Sequence, residues 1–385
     1  ITFMPQAKNI PRLQSIDALR GLVIMIMLLD HVRETFYLDK QVSDPINVTE
    51  TEPALFWSRF LAHLCAPVFV LLTGMSAFLF QMKTQSIEQT RHFLLKRGLF
   101  LILLEFTLVN FAWTATFPPE VIYLQVIWAI GLSMVILSMC IGQPKKILLS
   151  VGLLIIFGHN LLDQISFKDI PILEPLWLIL HERGWIEFEG LRVRTSYPVL
   201  PWVGVILFGY CLGQFFQPKF NAQQRDYYLI LIAMLSIVLF VLLRLLNVYG
   251  DEAWQSYDSL TLSLMSFFNL TKYPPSLLFI LWNVGIGLIV LIAFERWIQT
   301  PFLKVLVVFG SVPMFFYLLH LYVLKLLYVI SELWWGANES GYFSVSGVAQ
   351  LWIITLFLIC LLYPAVKAFS SYKHANKHIT WLKYF

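Results

Sequence analysis

The chain has 385 residues, of which 58% are hydrophobic and 13% charged, with a formal net charge of +4 and a mean hydropathy of +0.73. Soluble domains run at about 45–50% apolar and 25% charged, so this composition excludes an ordinary soluble enzyme, and the small net charge excludes a nucleic-acid partner. It predicts an all-α, polytopic membrane helix bundle in the lipid bilayer, with residues 1–385 as a single domain.

Apolar runs bounded by charge, Gly or Pro predict about ten transmembrane helices, at 17–38, 57–82, 97–116, 120–141, 146–162, 198–216, 227–248, 274–294, 304–330 and 346–367. The first follows a polar lead of about 20 residues and carries Asp30 and His31 near its end, which predicts a retained helix and not a cleaved signal. It also carries Asp17 and Arg20. A helix turns about 100° per residue, so Arg20 and His31, eleven apart, lie within roughly 20° on one face and about 16 Å apart along the axis. Ionisable groups at membrane depth are costly and mark functional sites by default.

Basic residues gather at alternate span ends: Lys8 and Arg12; Lys83, Arg91, Lys96 and Arg97; Lys145 and Lys146; Lys219 and Arg225; Arg296 and Lys304; and Lys367, Lys373, Lys377 and Lys383. The opposite ends carry acidic or mixed loops. By the positive-inside rule the N and C termini are both cytoplasmic, as an even number of spans requires. The longest outer connection, 163–197, holds His181, Glu182, Arg183, Arg192 and Arg194, and reads equally as a functional lid or a surface loop.

Histidine is the side chain best placed to act as a base at neutral pH. His31 stands out of the eight because Asp30 precedes it, Arg20 shares its face and Glu34 follows. His63 and His320 also fall within or at the ends of spans. Glu105, inside the third span, must be paired or protonated, and Asn110 follows on the same helix. The four cysteines lie in apolar runs without CxxC spacing, and there is no HExxH, GxxxxGK[ST] or GxSxG, so no metal is expected and neither a nucleotide-driven pump nor a conventional serine hydrolase is indicated.

The stripe suggests a mechanism. Arg20, at the cytoplasmic mouth, is suited to a donor's phosphates through its planar fork of N–H groups, and His31, past the midplane, meets the donor's reactive group. An acceptor arrives from the other side. The competing reading is a proton-coupled secondary transporter or flippase, with Asp30, His31, Glu105 and His320 as a proton relay.

The stretch Arg12-Leu-Gln-Ser15-Ile-Asp17-Ala-Leu-Arg20-Gly21, followed by Asp30-His31, resembles the opening helix of the transmembrane acyltransferase superfamily. Ala66-Pro67-Val68-Phe69, Phe93-Leu-Leu-Lys96-Arg97-Gly98, Tyr197-Pro198-Val-Leu-Pro201-Trp202, Lys272-Tyr273-Pro274-Pro275 and Phe315-Phe316-Tyr317-Leu-Leu-His320 resemble the bacterial branch related to heparan-α-glucosaminide N-acetyltransferase. The resemblance implies a bacterial plasma (inner) membrane enzyme that moves an acyl group, usually acetyl from acetyl-CoA, to a saccharide or other small-molecule hydroxyl or amine. It implies catalysis by His31 and contact of Arg20, Lys96 and Arg97 with the CoA phosphates; the mechanism expected here has His31 oriented by Asp30 or Asp17 as it deprotonates the acceptor. His63, Glu105, Asn110, Trp202, Tyr317 and His320 are the residues expected on the acceptor side. No histidine lies between Val32 and Ala62, where the lysosomal relative is understood to use one, so His31 or His63 takes that part or the acyl group passes directly to the acceptor. The wide apolar surface permits a homodimer.

Overall fold

A computed structural model describes residues 13–168 and 170–385; Lys8 and Arg12, counted above among the cytoplasmic charges, lie outside the described residues. Helices take up 71% of the described residues. In order they are α1 (Gln14–Phe36), α2 (Pro53–Ala62), α3 (Cys65–Thr84), α4 (Ile87–Leu104), α5 (Asn110–Thr114), α6 (Val126–Cys140), α7 (Lys145–Gly158), α8 (Leu173–Leu180), α9 (Leu200–Leu212), α10 (Ala222–Leu246), α11 (Leu260–Phe267), α12 (Leu277–Trp297), α13 (Pro301–Ser311), α14 (Pro313–Trp335) and α15 (Val348–Ala375).

Among the described residues six segments are long and apolar enough to cross a membrane: Pro53–Thr84, Lys145–Leu162, Ala222–Leu246, Leu277–Trp297, Pro313–Trp335 and Val348–Ala375. α1 and α4 have the length but carry too much charge: Asp17, Arg20, Asp30, Arg33 and Glu34 on the first, Glu88, Arg91, Lys96 and Arg97 on the second. The outer surface is apolar in helical rows. On α10, Leu231, Leu235, Leu242 and Leu245 face outward, while Leu229, Ala233, Phe240 and Arg244 are buried. Water would penalise such a surface and hydrocarbon accepts it.

The structure corrects the all-α expectation in one place. Val121–Leu124, Trp185–Phe188 and Leu191–Thr195 form strands β1, β2 and β3 of a small sheet in the order β1-β3-β2, β1 running parallel and β2 antiparallel to β3. The predicted span 120–141 is therefore a strand followed by α6, and the segment 163–197, expected on the outer side, is built of α8 and a hairpin. Asn110 anchors β1 from α5, donating to the Val121 carbonyl at 2.9 Å and accepting from the Tyr123 amide at 3.1 Å.

Two other predicted spans are broken by proline. The run 57–82 divides into α2 and α3 at His63 and Leu64, because Pro67 lacks the N–H that would bond to the His63 carbonyl and its ring crowds that oxygen. The run 304–330 divides at Val312, whose φ of −136° and ψ of 55° reflect the bias of a residue before proline against helical geometry. The run 97–116 is entered earlier, at Ile87, and passes through a π-turn at Glu105–Val109.

These breaks position the site. The short α13 lies along the first half of α1 with almost no gap: a Cβ on Gly21 would stand 1.9 Å from the Leu306 carbonyl oxygen, and one on Gly310 would stand 1.7 Å from that of Asp17. Only glycine fits such a crossing, as in closely packed membrane helices. The turn at Val312 then sends α14 up beside the second half of α1. On the far side, buried Arg244 at the end of α10 donates to the carbonyls of Phe267, Glu252, Ser266 and Asn269 at 2.6–2.9 Å. That fixes the loop between α11 and α12, which carries Lys272 and Tyr273.

Candidate active site

One stripe of α1 supplies the site. Arg20, Ile24, Met27 and His31, spaced by four, three and four residues, line the wall of a central cavity of about 90 Å³, joined by Asp30. One water needs roughly 10–15 Å³ of such space, so the cavity holds several waters or an acetyl group. Its other walls include Thr73 of α3, Arg97 of α4, Tyr317 of α14, Tyr197 and Lys272. A second cavity of about 310 Å³, lined by Asp17, Ser76, Lys83 and Phe93, meets the first at Arg20, Thr73 and Arg97, which line both.

His31 is buried, and its Nδ1 lies 2.7 Å from His320 Nε2. His320 Nδ1 lies 2.8 Å from the Phe316 carbonyl oxygen. A carbonyl only accepts, so His320 Nδ1 carries the proton and, in the neutral ring, its Nε2 accepts. His31 Nδ1 must then be the donor, and the lone pair of neutral His31 sits on Nε2. Trp113 and Tyr317 pack against the His31 ring at centroid distances of 5.3 and 5.9 Å.

The orienting partner of His31 is therefore His320; neither Asp30 nor Asp17 takes that part. Asp30 Oδ1 accepts from Arg33 Nε at 3.0 Å and its Oδ2 from Lys272 Nζ at 3.3 Å, a buried ion cluster one residue away. Asp17 pairs with Arg20 at 3.4 Å. Lys272 sits in a loop where burial works against its charge; Tyr273 and Asp30 outweigh that effect and hold its ammonium above the usual lysine range. Asp44 accepts from the Lys272 and Tyr273 amides, and burial pushes its carboxyl up, against the opposing charges of Arg59 and Lys272.

The two arginines at the junction of the cavities differ. Arg20 donates to Ser76 Oγ at 2.5 Å and to the Leu72 carbonyl at 3.4 Å. Arg97 has a buried Nε with no hydrogen-bond partner among the described residues, an unfilled donor beside a second cation. Lys96, expected to share this task, lies exposed and lines neither cavity.

Of the residues expected on the acceptor side, Tyr317 lines the central cavity and His320 reaches it through His31. The others have different surroundings. His63 is buried outside the cavity between Phe60 and Phe279. Glu105 Oε2 accepts from the Trp128 amide at 2.8 Å in the first turn of α6, where a carboxyl oxygen satisfies an open helix N–H. Asn110 holds β1, and Trp202 is buried beside Tyr197. Lys272 and Tyr197 were quoted in the sequence only as parts of family-like stretches; the signal in each case was a polar residue set against proline between apolar runs.

Beyond Tyr197 lies an outer cavity of about 590 Å³ with Tyr273, Arg183, Asp251 and Glu252 in its walls. The Tyr197 and Tyr273 hydroxyls meet at 3.2 Å between the central and outer cavities.

Fold and site together define a polytopic helical membrane protein with a charged, histidine-bearing chamber in its core. Residues 12–245 match the family model described as heparan-alpha-glucosaminide N-acetyltransferase, catalytic. That is more than half of the chain, and the protein belongs to this family, as an N-acetyltransferase-like membrane enzyme. Lys272, Tyr317 and His320 lie beyond the matched segment. A comparison with curated proteins finds no match.

Proposed function

We propose that the protein transfers an acyl group, in the first instance acetyl, from acyl-CoA to a hydroxyl or amine of a saccharide or other small acceptor. The donor enters the 310 Å³ cavity, with its phosphates at Arg20 and Arg97 and its thioester reaching the central chamber. His31 Nε2 takes the acceptor's proton as the acceptor attacks the thioester carbonyl. The tetrahedral intermediate then expels the CoA thiolate, which recovers the proton from the His31 imidazolium. Through that cycle His31 Nδ1 stays bonded to His320, which orients the ring as a carboxylate does in a hydrolase triad. Lys272 lines the same chamber and is suited to the developing oxyanion.

The observation that carries this reading is the chain His31–His320–Phe316 carbonyl, because it leaves the lone pair of His31 on the nitrogen that is free for chemistry. The unfilled donor of Arg97 supports the phosphate site. On this reading there are ten crossings, those predicted at 120–141 and 304–330 being made by α6 and α14, both termini are cytoplasmic and residues 1–385 act as one domain in a bacterial inner membrane, with a homodimer compatible with the exposed apolar faces.

The test is calorimetric binding of acetyl-CoA to the purified protein, followed by transfer of labelled acetyl to a panel of amino sugars and polysaccharide fragments. Micromolar binding and His31-dependent transfer are expected. A folded protein that binds no acyl-CoA and moves substrate with a proton gradient would overturn the proposal in favour of transport.

A further inference from the structure

A second cluster of chemistry-bearing side chains lies outside the chamber. His159 ends α7, Asp163 lies in the turn that follows, and His181 caps the C-terminus of α8. One ligand atom from each lies within 4.8 Å of the other two. His181 Nε2 and Asp163 Oδ1 already meet at 2.9 Å. His159 is only 1% exposed, yet neither of its ring nitrogens has a hydrogen-bond partner among the described residues, and the Nδ1 of His181, 2% exposed, has none either.

Buried imidazole nitrogens are normally satisfied, and three that are not, beside a carboxylate, call for an occupant. Two imidazoles and a carboxylate are the donors that zinc takes in three-ligand sites, with one coordination position left for solvent. Metal–ligand bonds of about 2.0–2.2 Å put tetrahedral donors roughly 3.3 Å apart. The cluster reaches that by small rotations of side chains.

We propose that His159, Asp163 and His181 form a binding site for a divalent transition metal of the zinc class. The ion uses the lone pair on His159 that no protein donor meets, and it takes Nε2 of His181 in place of the proton shared with Asp163, the neutral ring carrying its one proton on Nδ1 instead. Asp163 and His181 also line the outer cavity, so the fourth position opens there. The metal thus pins α8 to the end of α7 and stiffens one wall of that cavity. The sequence hid the site: His159 and Asp163 are one helical turn apart, but His181 joins them only because α8 folds back.

The test uses the full chain in nanodiscs, stripped by a chelator and freed of any affinity tag, and titrated with Zn²⁺ alone and with Co²⁺. The expected result is one equivalent of saturable Zn²⁺ binding, visible Co²⁺ absorption bands and a zinc-dependent rise in unfolding temperature. His159→Gln and His181→Gln, close in volume to the originals, should each weaken binding by more than the roughly 10–100-fold that loss of a merely orienting group costs. Their elution and metal-free unfolding should match the wild type, and His92→Ala should bind as the wild type does. Absence of saturable binding, or binding and Co²⁺ bands that persist in both histidine variants, would overturn the proposal and leave an ion pair between His181 and Asp163 only.

Discussion

His31 and His320 stand 289 residues apart in the chain, and their ring planes lie within 13° of parallel, edge to edge, with nitrogens 2.7 Å apart. Replacing His31 by Ala is expected to lower transfer by at least the roughly 10²–10⁴ that general-base help supplies, with acetyl-CoA binding retained in calorimetry. His320→Ala leaves the base present but free to adopt the wrong tautomer, a fault that costs up to about 10⁴ in a comparable triad. His320→Gln keeps an acceptor for His31 Nδ1 and should recover part of the rate, with an acid limb of the pH–rate profile displaced from that of the wild type. A purely structural His320 would leave the limb where it was.

Arg97 and Lys96 are neighbours in sequence and opposites in space. Charge-assisted hydrogen bonds are worth about 1.5–3 kcal/mol, so Arg97→Ala should weaken acetyl-CoA binding roughly 10–100-fold, with a reduced dependence on salt. Thermal stability should not fall, because the Arg97 Nε has no bond within the described residues to lose. Lys96→Ala should bind as the wild type.

Glu105 behaves in the structure as the cap of α6. Glu105→Ala should cost about 1–2 kcal/mol of stability, measured by thermal unfolding, because it strips the acceptor from the first turn of that helix. Acetyl-CoA affinity should be unchanged. A selective loss of acceptor affinity with stability intact would return Glu105 to the acceptor site.

The crossing of α1 and α13 sets a strict steric demand. Gly310→Ala forces a Cβ against the Asp17 carbonyl and should cost about 3 kcal/mol or more, and it should weaken donor binding as well by displacing Asp17 and Arg20. Gly158→Ala, which meets nothing within 4 Å, is the control and should be neutral.

Lys272 predicts a pH dependence with a definite sign. Its folded-state pKa is raised, so its contribution to stability is fully present below the unfolded value of about 10.4 and is lost as pH rises through the folded value. The gap in stability between wild type and Lys272→Met should therefore stay flat from neutral pH to about pH 10 and close only above it. A gap that closes already between neutral pH and about pH 10 would contradict the ion cluster with Asp30.

The stripe on α1 was legible because helical periodicity acts within one element, and eleven residues bring Arg20 and His31 to one face whatever else the chain does. The partner of His31 was not, since no local rule relates a histidine on α1 to one on α14. Asp30 stood next in sequence and was the natural choice, but adjacent residues on a helix diverge by about 100°. Glu105, Asn110 and His63 show the converse: a polar residue in an apolar run looks the same in sequence whether it caps a helix, holds a strand or binds a substrate. Strand β1 escaped notice because four apolar residues beside a helix carry no period of their own. The breaks at His63 and Val312 were written in Pro67 and Pro313.

Because Arg20 and His31 are carried on one unbroken helix, their separation is a fixed gauge of about 16 Å. On the proposed reading, a donor gripped by its phosphate at Arg20 brings its acyl group beside His31 only if a linker of that length lies between the two. Acetyl phosphate, whose acyl group sits directly on the phosphate, is too short by most of that distance. That reading predicts selection of the donor by length as well as by charge: truncating the arm between phosphate and thioester should abolish transfer while leaving the anion's grip intact.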